Sequence, residues 1–384
     1  MRTYKFQLKP TKNQEEKLFN TLNMCRFTYN QLLEKLNSQE TINRSEVQHE
    51  IINIKEKHPV LKEVYSKTLQ YECYRLFSNL RGLSQSKKKG LKVGRLRFKG
   101  KNWFKTIVYN QSGYKLIQRD NHYNHLRLSK IGNIKLRQHR PIDGEIKSII
   151  IKKKVNTWEA HIVTDAPYTI NSGDDVIGID MGVLSFITDS NGKTIDNPLF
   201  MNKSLKQLQF LHQKISRTKK GSKNRRKYCK QLQRKWEYIE NQRKDFFHKV
   251  STKLINNSKH IAVENLNIKS MTNNVKNPYY NHRNILDSSW GMFLQMLKFK
   301  ADSAGIKYVE VNPAYTSKMC NQCGRIKDMP TSIRVYKCSC GMVIDRDYNA
   351  AINILQRSLG REPAYVNNNE FLLLEQEATS FRAE

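Results

Sequence analysis

The chain has 384 residues, 38% hydrophobic and 10% aromatic, with 68 Lys and Arg against 34 Asp and Glu and a formal net charge of +34. This leaves room for two or three domains with real cores and excludes a disordered basic tail. The charge points to nucleic acid, because each neutralised phosphate releases counterions; a ribosome-associated protein or a polybasic membrane binder are the alternatives on composition. No apolar run approaches the ~20 residues that span a bilayer, and the start Met1-Arg-Thr-Tyr-Lys-Phe6 lacks a signal-peptide core, so a cytoplasmic, membrane-free protein is expected.

In chain order, Tyr4-Lys-Phe-Gln-Leu8 alternates as a strand, and after Pro10 the apolar positions Leu18, Leu22, Cys25, Tyr29, Leu33 and Leu36 take helical spacing. Further helices are expected near 44–56 and over 67–81 with Ser66 as cap. Strands follow over 92–98, 105–109, 126–129, 147–154 and 157–163. Strands on both sides of a helical insert (about 11–85) predict a β-barrel over 1–172, with a boundary in Asn171-Ser-Gly-Asp-Asp175. Segment 84–105 mixes base with Phe98, Trp103 and Phe104, including Arg97 and Lys99. Such interleaving suits stacking and phosphate contact, or else a barrel strand with its aromatics inside.

Next come strands at 176–181, 184–189 and 193–196, basic helices, a strand at 259–264, a helix at about 288–303 and a strand at 307–311, the order of an RNase H-like α/β domain. Between Lys214 and Lys235 lie eleven Lys or Arg and no acid, among them Lys219, Lys220, Arg225 and Arg226. We read a helical hairpin (199–255) with one apolar and one phosphate-facing face. After residue 361 the charge balance reverses, and 362–384 is expected to be an acidic, flexible tail.

Three acids carry the chemistry: Asp180 in Val176-Ile-Gly-Ile-Asp-Met-Gly182, Glu264 after Ile261-Ala-Val263, and Asp347 in Asp345-Arg-Asp-Tyr-Asn-Ala-Ala351. Carboxylates gathered together repel unless divalent cations compensate, so the trio suggests two Mg²⁺ ions about 4 Å apart acting on a phosphodiester. Gly178 and Gly182 are expected to keep the surroundings of Asp180 open for substrate. If a helix begins near 345, Asp345 caps it while Asp347, Ala350, Ala351 and Ile354 share the sheet-facing stripe, which favours Asp347 as the third ligand. Cys320, Cys323, Cys338 and Cys340 have zinc-ribbon spacing, with the second pair tightened to C-x-C. Four thiolates leave no open position, so one structural Zn²⁺ is expected; buried reduced thiols or an iron site are the alternatives. The ribbon (315–344) leads into the last helix (345–361) and so would help position Asp347.

Gly178-Ile-Asp-Met-Gly182, Val263-Glu-Asn-Leu266, Cys320-Asn-Gln-Cys-Gly324 and Cys340-Gly341 running into Asp345–Ile354 together resemble the TnpB (OrfB) proteins of bacterial insertion sequences, relatives of the type V CRISPR effectors. Tyr4–Pro10, Tyr29-Asn30, Arg97-Phe-Lys99, Lys220-Gly-Ser222 and Trp290-Gly291 extend the resemblance along nearly the whole chain. It implies a multi-domain α+β protein: a wedge barrel with recognition helices, then a RuvC-like nuclease (173–314 and 345–361) carrying the zinc ribbon. The implied activity is RNA-guided, Mg²⁺-dependent cleavage of double-stranded DNA beside a short adjacent motif, with catalytic Asp180, Glu264 and Asp347. The implied partners are a guide RNA from the element's end, one protein per RNA, and target DNA in a bacterial or archaeal cytoplasm, nucleoid-associated during targeting. By family position Lys67, Gln70 and Tyr71 are candidates for reading the adjacent motif, although an ordinary amphipathic helix also accounts for them. A nuclease-dead RNA-guided repressor and an RNA-independent transposase or junction resolvase are the competing classes.

Overall fold

The structure is a computed structural model and describes residues 1–118, 124–167, 173–268, 271, 284–330 and 332–361. The chain divides into two compact units, Met1–Pro167 and Tyr168–Glu384. The expected boundary at 171–175 begins within 168–172, and both those residues and the tail 362–384 lie outside the described ones.

In the first unit, β1 (Arg2–Lys9) passes into α1 (Lys12–Asn37) through a capping box, in which Thr11 and Gln14 exchange side-chain and backbone hydrogen bonds. Helices α2 (Arg44–Lys57) and α3 (Ser66–Lys88) follow. Ser66 is the first helical residue rather than the cap; Tyr65 holds that position and makes no side-chain capping bond. The strands are β2 (Thr106–Asn110), β3 (Tyr114–Ile117), β4 (Asn124–Leu128), β5 (Gly132–Arg137), β6 (Ile146–Lys153) and β7 (Trp158–Thr164).

They form one antiparallel sheet in the order β2-β6-β7-β1-β5-β4-β3. Its two edges, β2 and β3, are joined in sequence by the single turn Gln111–Gly113, so the sheet curls until it is nearly closed. Tyr4, Phe6 and Leu8 alternate inward from β1 and share a core with Leu18, Cys25, Tyr29 and Leu33 of α1. The Thr68 hydroxyl donates to the Val108 carbonyl at 2.9 Å and docks α3 on β2.

The strand expected over 92–98 is absent. Helix α3 runs on to Lys88, and the period-two pattern that follows finds no partner strand. Instead the segment is held by side chains: Asn30 accepts from the Lys99 N–H at 2.8 Å and donates to the Lys99 carbonyl at 3.1 Å, joined there by Arg26. Phe98 and Trp103 are exposed while Phe104 is buried, so this is not a barrel strand with its aromatics inside.

The second unit holds a mixed sheet in the order β10-β9-β8-β11-β12. Its strands are β8 (Asp175–Asp180), β9 (Ser185–Asp189), β10 (Thr194–Asp196), β11 (Ser258–Glu264) and β12 (Lys307–Val311). The first three form the expected meander; β8, β11 and β12 run parallel. Helices α4 (Phe200–Ser216) and α5 (Lys223–Asn257) make the hairpin, α6 (Trp290–Ala304) precedes β12, and α7 (Arg346–Ser358) follows the hairpin β13 (Val335–Lys337) and β14 (Val343–Asp345). Phe186, Phe247 and Phe293 meet in the core of this unit, with ring centroids 5.0–5.7 Å apart.

Candidate metal centres and their scaffold

Parallel pairing of β8 with β11 matches Ile179 with Val263, so the next residues, Asp180 and Glu264, end neighbouring strands side by side. Helix α7 brings the third acid. Asp345 is its N-cap and accepts from the Asp347 and Tyr348 N–H groups at 2.9 and 3.0 Å, which leaves Asp347 free for another role. Ala350, Ala351 and Ile354 are fully buried along the stripe that the sequence predicts.

Gly178 explains how closely α7 approaches. A Cβ there would lie 2.3 Å from the Ala351 carbonyl oxygen and 2.6 Å from the Leu355 nitrogen. Its missing side chain therefore seats the helix rather than leaving room for substrate. Gly182 likewise serves its own turn, since a Cβ would come within 2.7 Å of the Ser185 carbonyl oxygen.

The electrostatics reflect this crowding. Enclosure pushes the Asp180 carboxyl well above the usual carboxylate range, the charges of Glu264 and Asp347 push it further, and Arg346 acts the other way. Enclosure also raises Glu264, opposed by a hydrogen bond from the Thr316 hydroxyl to its Oε1 at 2.5 Å and by Arg357. Asp347 is held by Arg334 at 3.2 Å and by Arg346 at 3.0 Å. Three mutually repelling acids at one sheet end fit hard, oxygen-seeking divalent cations. Their oxygens are less tightly gathered than the cysteine sulfurs: among the described residues, the four-cysteine set alone places three or more candidate donor atoms within 4.8 Å of one another.

In that set Cys320 and Cys340 have their sulfurs 3.7 Å apart, and Cys323 and Cys338 3.6 Å apart. A tetrahedron with Zn–S bonds of ~2.3 Å has edges of ~3.8 Å, so these two pairs stand at zinc-ligand spacing within a set whose sulfurs all lie within 4.8 Å of one another. Burial pushes the Cys320 thiol up to about 12. Burial also pushes upward at Cys338, but the Cys340 N–H and the neighbouring thiols outweigh it and bring that thiol down to about 7. Gly324 and Gly341 close the two knuckles at φ of 74° and 93°. The C-x-C knuckle is tightened by Gly341 N–H donating to the Cys338 carbonyl at 3.1 Å.

The sequence reading missed the side chains that join this hairpin to the acids. Val335 pairs with Asp345, so β14 ends on the cap of α7 without a linker. Asn353, fully buried, donates to the Thr316 and Met319 carbonyls at 2.8 and 2.7 Å, and Asn349 donates to Met319 at 2.8 Å. Thr316, which touches Glu264, and Arg334, which touches Asp347, both flank the cysteine hairpin. Two asparagines one turn apart on a buried helix face were the only sequence signal of this arrangement.

The other candidates are dispersed. Lys67, Gln70 and Tyr71 lie on the outward stripe of α3, opposite the buried Thr68, Leu69, Glu72 and Cys73. Lys219, Lys220 and Arg226 are exposed at the α4–α5 turn and Arg97 is exposed in its loop. Arg225 is half-buried and partly engaged within the turn. Its guanidinium donates to the Ile215 and Thr218 carbonyls and staples the turn. No helix among the described residues is long and apolar enough to cross a membrane.

A family model described as a probable transposase, OrfB of IS605, matches residues 163–275, and the helix-turn-helix model of the same family matches 1–41. A Cas12f1-like TNB domain model matches 290–354. The chain belongs to the OrfB (TnpB-like) family. In this OrfB-type chain, residues 1–41 are built as β1 and the single helix α1.

Among its relatives, the protein of Escherichia coli K12 named "Putative RNA-guided DNA endonuclease InsQ" is 28% identical over 92% of each chain. One of Streptomyces pristinaespiralis named "Putative RNA-guided DNA endonuclease" is 34% identical over 51% of this chain, which spans only 48% of that relative's length. The fold is similar to that of Cas12f1 in its complex with guide RNA and target DNA, at TM-score 0.61 and 18% identity, covering 89% of this chain and 82% of that one.

Proposed function

We propose that this OrfB-type protein is an RNA-guided, Mg²⁺-dependent endonuclease of a transposable element that cuts double-stranded DNA beside a short adjacent motif. The convergence of Asp180, Glu264 and Asp347 at one end of β8, β11 and α7 carries this reading. Two Mg²⁺ ions held by these carboxylates would supply a nucleophilic water and stabilise the leaving oxygen. Asp180, whose charge its neighbours disfavour, gains most from a cation. Glu264 is aimed by Thr316, and Asp347 by Arg334 and Arg346, which also offer positive charge to an approaching phosphate. The second unit would act as a RuvC-like nuclease, with Zn²⁺ on the four cysteines fixing the start of α7.

The first unit would hold the guide RNA, derived from the element's end, with α3 presenting Lys67, Gln70 and Tyr71 to the adjacent motif. The names of the relatives and the net charge of +34 support RNA and DNA as partners. The test is to express the gene with its native flanks, purify the protein at high salt and sequence the bound RNA. A discrete RNA reading into flanking sequence, together with Mg²⁺-dependent cleavage of matching DNA, is the expected result. Cleavage by protein alone would overturn RNA guidance in favour of a resolvase or transferase.

A further inference from the structure

The first unit carries a cleft of about 360 Å³ lined by Tyr29, Arg75, Asn79, Lys99, Trp103 and Phe104, with Lys105 and Thr106 at its edge. Its outer wall is the turn Lys99–Phe104, and this wall is built rather than loose. Asn30 and Arg26 bind the Lys99 backbone, the Trp103 N–H donates to the Gly100 carbonyl at 3.2 Å, and the buried Phe104 anchors the far end. What this anchored turn presents outward is an indole, Trp103, 66% exposed. The Lys99 ammonium lies between two rings, 5.2 Å from that of Trp103 and 5.8 Å from that of Tyr29.

The inner wall is an aimed guanidinium. Arg75 lies 4.8 Å over the Phe104 ring, its Nη2 donates to the Thr106 carbonyl and hydroxyl at 3.3 and 3.1 Å, and its Nε faces the Glu72 carboxylate at 3.4 Å. Glu72 is fully buried. Three sides of the guanidinium are thereby fixed, and the Nη1 edge makes no hydrogen bond among the described residues. An exposed ring on an anchored turn, lining the same cleft as a fixed arginine and two lysines, has the composition of a nucleotide site: a π-face for a base and a fork for a phosphate.

We propose that this cleft receives one unstacked nucleotide of the bound nucleic acid, its base against Trp103 and its phosphate among Arg75, Lys99 and Lys105. The inference rests on the reading that the chain binds nucleic acid, and not on its cleaving it. RNA and DNA share the chemistry that the site recognises, so the source of the nucleotide is for experiment to assign.

The full chain contains four tryptophans. Trp158 and Trp290 are buried and Trp236 is partly exposed, so a Trp236→Phe background leaves Trp103 as the accessible emitter. Titrating this protein with rU5 and with dT5, without magnesium, should quench its emission. Trp103→Leu should abolish the quench and weaken binding, followed by anisotropy, by about 5- to 150-fold, the range for losing one base stack. Lys99→Gln should weaken the quench while leaving the fold intact, because Lys99 is anchored through its backbone.

Quenching by rU5 alone assigns the site to RNA, by dT5 alone to DNA, and by both to either strand. Oligonucleotide binding that leaves Trp103 emission unchanged, or that is insensitive to Trp103→Leu, overturns the proposal. That outcome leaves the nuclease reading standing, because cleavage is measured separately; loss of cleavage with the quench retained does the reverse.

Discussion

Each unit of this protein buries a carboxylic acid whose proton is held too tightly, and the two cases differ in their neighbours. Glu72 in α3 is raised to about 8 by burial, with Arg75 pulling the other way. Asp180 in β8 is raised by enclosure and then raised again by two further acids. Burial alone therefore does not single out a candidate metal site; accumulation of like charge does. Glu72 has one cationic neighbour and, among the described residues, no acid beside it, whereas Asp180 is still raised by two acids although Arg346 opposes them.

The largest effect that would sharpen this contrast is on cleavage. Asp180→Ala should reduce Mg²⁺-dependent cleavage about a thousandfold or more while RNA and DNA binding persist. Cleavage retained at the wild-type rate would remove Asp180 from the site. Next, Cys338→Ser should lower zinc content below one ion per chain, measured by metal analysis, and should cut cleavage by releasing the hairpin that ends on Asp345. Full activity without zinc would separate the cysteine hairpin from the acids.

Thr316→Val removes the hydroxyl that aims Glu264 and should lower the turnover number about 10- to 100-fold with little change in DNA affinity. A change in affinity alone would give Thr316 another role. The smallest effect concerns Glu72. In the folded state it keeps its proton up to about 8, whereas the unfolded chain releases it near 4.5, so raising the pH between these values disfavours the folded wild type. Glu72→Gln lacks this dependence. Its melting midpoint relative to wild type should rise by ~5 °C from pH 5 to pH 8 and then level off. A constant difference across that range would mean that Glu72 is ionised throughout.

How much was visible beforehand follows the range of the interactions. Asp180, Glu264 and the Asp345 cap were legible because strand ends and helix caps are written in adjacent residues. Alternation found β1, β6 and β7, and the same rule failed over 92–98, where no partner strand supplies the hydrogen bonds. Strands β3 and β5 were overlooked because the first has only four residues and the second only two buried ones, too few repeats for alternation to register. Arg225 looked like its basic neighbours, and only the folded turn shows that its Nη1 is bound to the Ile215 and Thr218 carbonyls. Thr316, Asn349 and Asn353 act across 28 to 52 residues of sequence, a separation that no local pattern reports.

Gly178 has no functional group, and its hydrogen in place of a methyl acts as a shim between sheet and helix. The two nearest atoms a methyl would meet are backbone and the third is the Leu355 Cβ, none of which can swing aside as the far end of a side chain could. Gly178→Ala would therefore have to lift α7, and Asp347 is one turn from the contact at Ala351. A displacement of ~1 Å at a reacting centre is enough to lose about two orders of magnitude in rate. The spacing of the acids is thus gauged by a position that carries no side chain at all.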